Sequence, residues 1–215
     1  IKLEQWKNKK NRKPLIIQGA RQVGKTWIMK EFGARYFDNT IYINFDNNEV
    51  MKKVFEIDFD IARIISSIKI EYGKNFDVEK TLIIFDEIQE APKALASLKY
   101  FYEKAPEYAI MAAGSLLGVT LHQGTSFPVG KVDFMTLYPM SFLEFLQATA
   151  PSSLADFVSG FKKGDDLPQL IGERLETLLR QYYITGGMPE VVEAWRSTHN
   201  IEQVESIQQA IINSY

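Results

Sequence analysis

"GARQVGKT", residues 19–26, follows the apolar run "PLII" at 14–17 and leads into "WIMKEF". Two glycines, Gly19 and Gly24, bracket four residues, and Lys25 and Thr26 follow at once. The octet fits the pattern GxxxxGK[ST], which requires a strand before it and a helix after it. Leu15–Gln18 has the apolar character of a short strand, and Trp27, Ile28, Phe32 and Tyr36 recur near a 3.6-residue period. Glycines admit backbone conformations closed to other residues, so the N–H groups between them can turn inward around phosphate oxygens. The helix that follows aims the positive end of its dipole at the same anion. Lys25 is spaced to reach the β- and γ-phosphates, and the Thr26 hydroxyl to ligate Mg2+. Arg21 and Gln22 are expected to serve phosphate through their backbone amides, and Val23 and Trp27 complete the candidate contacts of the loop.

Working outward, strand and helix patterns alternate. "TIYINFD" (40–46) is β-branched and aromatic, as strands are. Residues 47–73 read as mostly helical, with Ile61, Ile64, Ile65 and Ile68 as a buried stripe. "TLIIFDEIQ" (81–89) is a continuous apolar run ending in two acids, the signature of a strand buried on both faces. A helix at 91–106, a small-residue strand "YAIMAAGS" (108–115) and a last strand "KVDFMTLYP" (131–139) follow. This alternation predicts a largely parallel sheet with helices on both faces. Beyond Pro139 the pattern becomes helical: a capping box at Ser141 and Glu144, then helices over 167–183, 189–197 and 201–215. The stretch 151–168 reads as loop or short helix. The expected organisation is an α/β body over 1–139 and a helical subdomain over 140–215.

A second chemical element stands at the end of the "LIIF" strand. Asp86 can hold the magnesium, directly or through water. Glu87 beside it can act as general base on a water. Taken alone the pair could equally cap a following helix; behind a phosphate loop the catalytic reading is favoured. Ser115, ending "IMAAGS", is either a sensor of the γ-phosphate or a turn residue. Lys131 is a further cation for the site, with a solvated position at a strand start as the plainer reading.

Composition narrows the field. The chain has 215 residues, 46% apolar and 24% charged, which suits a globular protein with a sizeable core. It carries no cysteine, which excludes disulfides and thiolate metal sites and agrees with a reducing cytoplasm. His122 and His199 have no ligand-spaced partners. No run approaches the length of a membrane span, and the polar opening "IKLEQWKNKK" is no signal peptide. The net charge of −2 gives no global basic footprint for nucleic acid. The one basic run, "KNKKNRK" at 7–13, is read as a solvated turn before the first strand. With no initiator methionine, and with Ile201, Val204, Ile207 and Ile211 still in helical register near the end, the expectation is a fragment of a longer polypeptide.

The assembled pieces resemble prokaryotic ATPases of the AAA superfamily whose phosphate loop reads "GARQVGKT". "LIIFDEIQ" resembles their Walker B segment, "AAGSLLG" their sensor segment, "VDFMTLYPMSFLEFL" the strand and helix after it, and "YYITGGMPEVV" a glycine-glycine-x-proline segment. The resemblance covers most of residues 1–195. It implies a P-loop NTPase fold: a five-stranded parallel sheet in the order 5-1-4-3-2, with a helical lid. It also implies ATP or ADP with Mg2+ as cofactors, and a lid turn at Gly186, Gly187 and Pro189 that brings Pro189 near the base. Its members continue into a C-terminal domain. Their usual arginine in the "PVGK" segment is Lys131 here, which lacks the planar fork of guanidinium.

The reading is therefore a Mg-dependent ATPase that couples its nucleotide cycle to lid and partner-domain movement. Expected partners are an adenine nucleotide, its own further C-terminal domain and another protein, with neither membrane nor nucleic acid indicated. The alternative is a nucleotide-operated switch with negligible hydrolysis. A nucleoside or small-molecule kinase fits less well, for want of an arginine-rich lid.

Overall fold

The computed structural model describes residues 2–73, 76–114, 128 and 130–215. Five strands form one parallel sheet: β1 (Leu15–Gln18), β2 (Asn39–Asn44), β3 (Thr81–Asp86), β4 (Ala109–Gly114) and β5 (Asp133–Thr136). Their order is β2-β3-β4-β1-β5, the order expected. Ten α-helices are described: α1 (Lys2–Lys7), α2 (Lys25–Tyr36), α3 (Glu49–Ile57), α4 (Ile61–Glu71), α5 (Pro92–Lys104), α6 (Phe142–Thr149), α7 (Ser152–Gly160), α8 (Gln169–Thr185), α9 (Pro189–Thr198) and α10 (Ile201–Asn213). By internal contacts the chain forms two compact units, Ile1–Gly19 with Gly24–Leu137, and Ala20–Val23 with Tyr138–Tyr215.

In the first unit, β3 and β4 are buried at every position, which is why they read as unbroken apolar runs. Side chains alternate between the two faces of the sheet. On one face Ile41, Ile43, Ile83, Phe85 and Ile110 pack with α3, α4 and α5. Phe45, Phe55 and Phe85 meet there edge to face, with ring centroids 5.4–5.6 Å apart. On the other face Leu15, Ile17, Leu82, Ile84 and Met111 pack with Leu3 and Trp6 of α1 and Met29 and Phe32 of α2. Asp86 continues the second series, two residues after Ile84, and this parity sets its role below.

Three stretches gain detail. Residues 47–73, read as mostly helical, form two helices, because two aspartates punctuate them. The Asp58 carboxylate accepts from the Asp60 N–H (2.9 Å) and from Arg63 Nε (3.0 Å), while Asp60 caps α4 by accepting from the N–H groups of Ala62 and Arg63. The ambiguous stretch after Pro151 contains α7, a nine-residue helix. The chain start, read only as polar, holds α1, whose two buried residues, Leu3 and Trp6, are too few to declare a period.

In the second unit the expected capping box forms. Ser141 accepts from the Glu144 N–H, and the Glu144 carboxylate accepts from the Ser141 N–H at 2.8 Å. Phe142 and Phe145 of α6 pack on Tyr182 of α8, whose hydroxyl donates to the Met140 carbonyl at 2.7 Å. Val191, Val204 and Ile211 join α9 to α10. Gly186 has φ 67 and ψ −162, a region essentially restricted to glycine. A Cβ on Gly187 would stand 2.1 Å from the Met140 carbonyl oxygen, where the backbones meet in a 2.7 Å bond from the Met140 N–H to the Gly187 carbonyl. The glycine pair therefore has a complete structural reason to exist.

Two outcomes test this packing. Phe85→Ala should lower unfolding free energy by about 3–5 kcal/mol, because the aromatic cluster cannot collapse over the gap, as measured by urea titration. Gly187→Ala should lower the thermal midpoint clearly, whereas Gly160→Ala, at the end of α7 with open space around its Cβ position and no positive φ, should change it much less.

Candidate functional site

β1 ends at Gln18 and α2 begins at Lys25, so the octet is the turn between them. Gly24 sits at φ 96 and ψ 18, a conformation glycine enters without strain, and its lack of a side chain leaves the helix start with no side-chain cap. The first turn of α2 carries no acidic residue, and the first intrahelical bond is from the Ile28 N–H to the Gly24 carbonyl. The preceding amides are the group that an anion complements at a helix N-terminus. Gln22, also at positive φ (60), and Arg21 are exposed, while Val23 is buried. Lys25 is 7% exposed and its Nζ donates to the Gly19 carbonyl at 2.9 Å, which folds the ammonium back over the turn. Trp27 is exposed, its ring turned out from the first turn of the helix.

The parity of β3 puts Asp86 on the α2 face of the sheet, where Thr26 stands in the first turn of that helix. The Thr26 hydroxyl donates to Asp86 Oδ2 at 2.6 Å. The same oxygen accepts the Tyr42 hydroxyl at 2.8 Å, and Oδ1 accepts the Glu87 N–H at 3.1 Å. Asp86 itself is 2% exposed. Burial, reinforced by the bond to Asp86, raises the Tyr42 phenol above its usual range, so it remains a donor at neutral pH. Glu87 leaves the strand in the left-handed region (φ 48, ψ 45), and its half-buried carboxylate accepts from Gln89 Nε2 at 2.6 Å.

These oxygens suit a hard cation. Thr26 and Asp86 offer hydroxyl and carboxylate donors, and magnesium characteristically takes one or two such groups and completes its octahedron with phosphate and water. Among the described residues no group of three or more histidine, cysteine or acidic side chains could hold a metal by itself. Two protein oxygens fit a cation that takes its remaining ligands from phosphate and water.

The other sequence candidates separate. Ser115 lies outside the described residues, as does His122. Pro189 is half-buried at the first position of α9, a place proline favours for its fixed φ. Lys131 does not join the loop: it precedes β5, at the edge of the sheet where strands begin, and pairs with Glu103 at 3.0 Å. In a parallel sheet that edge is opposite the one where β1 feeds the turn. Tyr42, Gln89 and Lys30, whose ammonium lies 3.6 Å from the Tyr42 ring centroid, escaped the sequence reading. Tyr42 had a signal: Thr40, Tyr42 and Asn44 alternate with Ile41, Ile43 and Phe45, so a period of two already aligns polar groups on one face.

The basic run is the turn before β1, exposed over 8–11 as expected, and its longer side chains tie it to the body. Lys7 Nζ donates to the Tyr36 carbonyl, Lys9 pairs with Asp133, and Lys13 donates to the Gly130 carbonyl. Arg12 bonds the Lys7 and Glu107 carbonyls, and burial lowers its pKa. No described helix is long and apolar enough to cross a membrane.

With the geometry in place, a family model described as an AAA domain matches residues 11–146. Comparison with curated proteins returns no match. Among solved structures, a Walker-type ATPase of Pyrococcus abyssi superposes with a TM-score of 0.56 at 16% identity, covering 99% of this chain and 71% of its own. Cdc6p of Pyrobaculum aerophilum gives 0.49 at 14% identity, covering 96% and 59%. The Orc1 protein of Aeropyrum pernix, solved with DNA, gives 0.46 at 13%, covering 95% and 57%. The chain thus spans under two thirds of the length of the latter two. At these identities the likeness is one of fold.

Because the basic run is tied to the body, Arg12→Ala should cost about 1–2 kcal/mol of stability, the usual worth of charged hydrogen bonds to a half-buried group. Urea unfolding with and without the substitution measures it.

Proposed function

We propose that this chain, which belongs to the AAA domain family, binds ATP with magnesium at residues 19–26 and hydrolyses it. The observation that carries the reading is the 2.6 Å bond between Thr26 and Asp86. Two sequence elements sixty residues apart, each chosen for the same chemistry, meet at one point.

In this reading the amides of Gly19, Arg21, Gln22, Val23, Gly24, Lys25, Thr26 and Trp27 cradle the phosphates. Lys25 releases the Gly19 carbonyl and turns its ammonium onto the β- and γ-oxygens. Thr26 and Asp86 are the residues that would hold magnesium, which supplies charge neutralisation on the phosphate oxygens. Glu87 takes a proton from water as the water oxygen bonds to the γ-phosphorus and the bond to the bridging oxygen breaks, with ADP leaving. Gln89, donating to Glu87, fixes which carboxylate oxygen faces the water. Preorganised donors of this kind act on charge that develops in the transition state.

The helices over 140–215 act as a lid in this scheme, with Pro189 against the adenine and Ser115 as sensor of the γ-phosphate. Lid closure couples the nucleotide cycle to a further domain or partner, in a cytoplasmic setting. Glu87→Gln should reduce phosphate release by about 100-fold or more, the scale of general-base catalysis, with ATP affinity retained. Lys25→Ala should abolish ATP and ADP binding in calorimetry. Equal turnover in wild type and Glu87→Gln would remove the base. Tight nucleotide binding with no turnover in either would favour a nucleotide-operated switch.

A further inference from the structure

We propose that Tyr42 is a positioning residue for the magnesium site: its hydroxyl holds the Asp86 carboxylate so that Thr26 presents its oxygen to the metal. This rests on the reading of Thr26 and Asp86 given above and adds a residue that neither the phosphate-loop pattern nor the acidic strand end includes.

The argument begins with the sheet. Tyr42 pairs in register with Ile84, two residues before Asp86 and on the same face. Such diagonal neighbours are within reach of a long side chain. The tyrosine ring spans that gap and delivers its hydroxyl to Asp86 Oδ2 at 2.8 Å. Its other contact fixes it from above: Lys30, one turn along α2 from Thr26, sets its ammonium 3.6 Å from the ring centroid. The ring is thus held between β2 and the helix that carries the loop threonine.

Next comes the count of acceptor sites. A carboxylate offers about four, two on each oxygen. On Asp86, Oδ2 is filled by two hydroxyl donors, Thr26 at 2.6 Å and Tyr42 at 2.8 Å, and Oδ1 accepts the Glu87 N–H at 3.1 Å. A threonine whose proton is committed to Asp86 keeps its lone pairs free on the opposite side, which is the polarity a metal ligand needs. Oδ1 retains one acceptor position for a metal-bound water. With Oδ2 saturated, Asp86 acts on the metal through Thr26 and water more readily than by direct ligation. Without Tyr42 the carboxylate loses the donor that sets its rotation, and a buried oxygen is left partly unsatisfied.

Outer partners that orient ligands typically contribute a factor of about 10–100 to metal affinity. The variant is Tyr42→Phe, which keeps the ring, its packing and the Lys30 contact while deleting the hydroxyl. Calorimetry with ADP is run twice on each protein, once with saturating magnesium and once with EDTA. The expected result is a fall of about tenfold or more in the magnesium-dependent gain of ADP affinity, with metal-free ADP affinity unchanged. Manganese titration followed by electron paramagnetic resonance, in the presence of ADP, should show the same weakening directly. An unchanged magnesium gain in Tyr42→Phe overturns the proposal. Equal loss of both affinities overturns it too, since that marks a role in folding of the loop. If wild type binds ADP with no magnesium gain at all, the reading of Thr26 and Asp86 as metal residues fails first. Asp86→Asn, which would then also bind normally, identifies that case.

Discussion

The hydrogen bond from Thr26 to Asp86 constrains the rest of the molecule, because a bond of 2.6 Å between residues on different elements fixes the height of α2 against β3. It requires β1 and β3 to run parallel, so that the turn after one and the acid ending the other share an edge. It also requires β4 between them: the order β2-β3-β4-β1-β5 leaves β1 and β3 one strand apart, about 10 Å at the usual spacing. A helix diameter covers that distance. α2 crosses it by packing Met29 and Phe32 on a floor made by Leu15, Ile17, Ile84 and Met111. The apolar layer beneath α2 is thus the platform that keeps a hydroxyl and a carboxylate in register.

The two faces of the sheet divide the work. The face with α3, α4 and α5 carries the larger apolar cluster, including the packed phenylalanines, and bears no residue of the site apart from what the strand ends supply. The face with α1 and α2 is smaller and ends, at its upper rim, in Thr26, Tyr42 and Asp86. Burying the carboxylate there is tolerable because three donors meet it.

How much of this was legible in the sequence follows from the kind of signal each part leaves. The alternation of strand and helix, the placement of α2 and the positions of Lys25, Thr26 and Asp86 at a helix start and a strand end were readable because motif spacing and apolar runs are local, while the strand order came only with the family resemblance. The capping box at Ser141 was readable for the same reason. Less visible was the split between α3 and α4, since Asp58 and Asp60 act by side-chain bonds that a hydrophobic period does not register. Lys131 had a strand-start position as its plainer reading, and it holds that position just before β5, paired with Glu103. Tyr42 was missed because its meaning depends on register: the expected order set β2 beside β3, but only the assembled sheet pairs Tyr42 with Ile84 and brings its hydroxyl to Asp86. The glycine pair at 186–187 was read through resemblance as part of a nucleotide contact, yet the close approach to Met140 already accounts for it.

Glu87 shows how backbone geometry keeps a carboxylate out of an apolar core. Strand alternation would send residue 87 to the same face as Phe85, whose ring sits among Phe45, Phe55 and Phe101. A carboxylate there would be expelled or protonated at a cost of several kcal/mol. The chain instead turns into the left-handed region at Glu87, a conformation that costs a non-glycine residue roughly 1 kcal/mol or more. The surroundings hold the turn. Asp86 accepts the Glu87 N–H, the Glu87 carbonyl accepts the Glu90 N–H, and Ile88 is fully buried as the anchor of the single 3-10 turn over Ile88–Glu90. The local strain is smaller than the burial it avoids, so the acid leaves the strand half-buried and bonded to Gln89, not inside the aromatic core. A glycine at position 87 would relax the strain and lose the carboxylate together with its bond from Gln89.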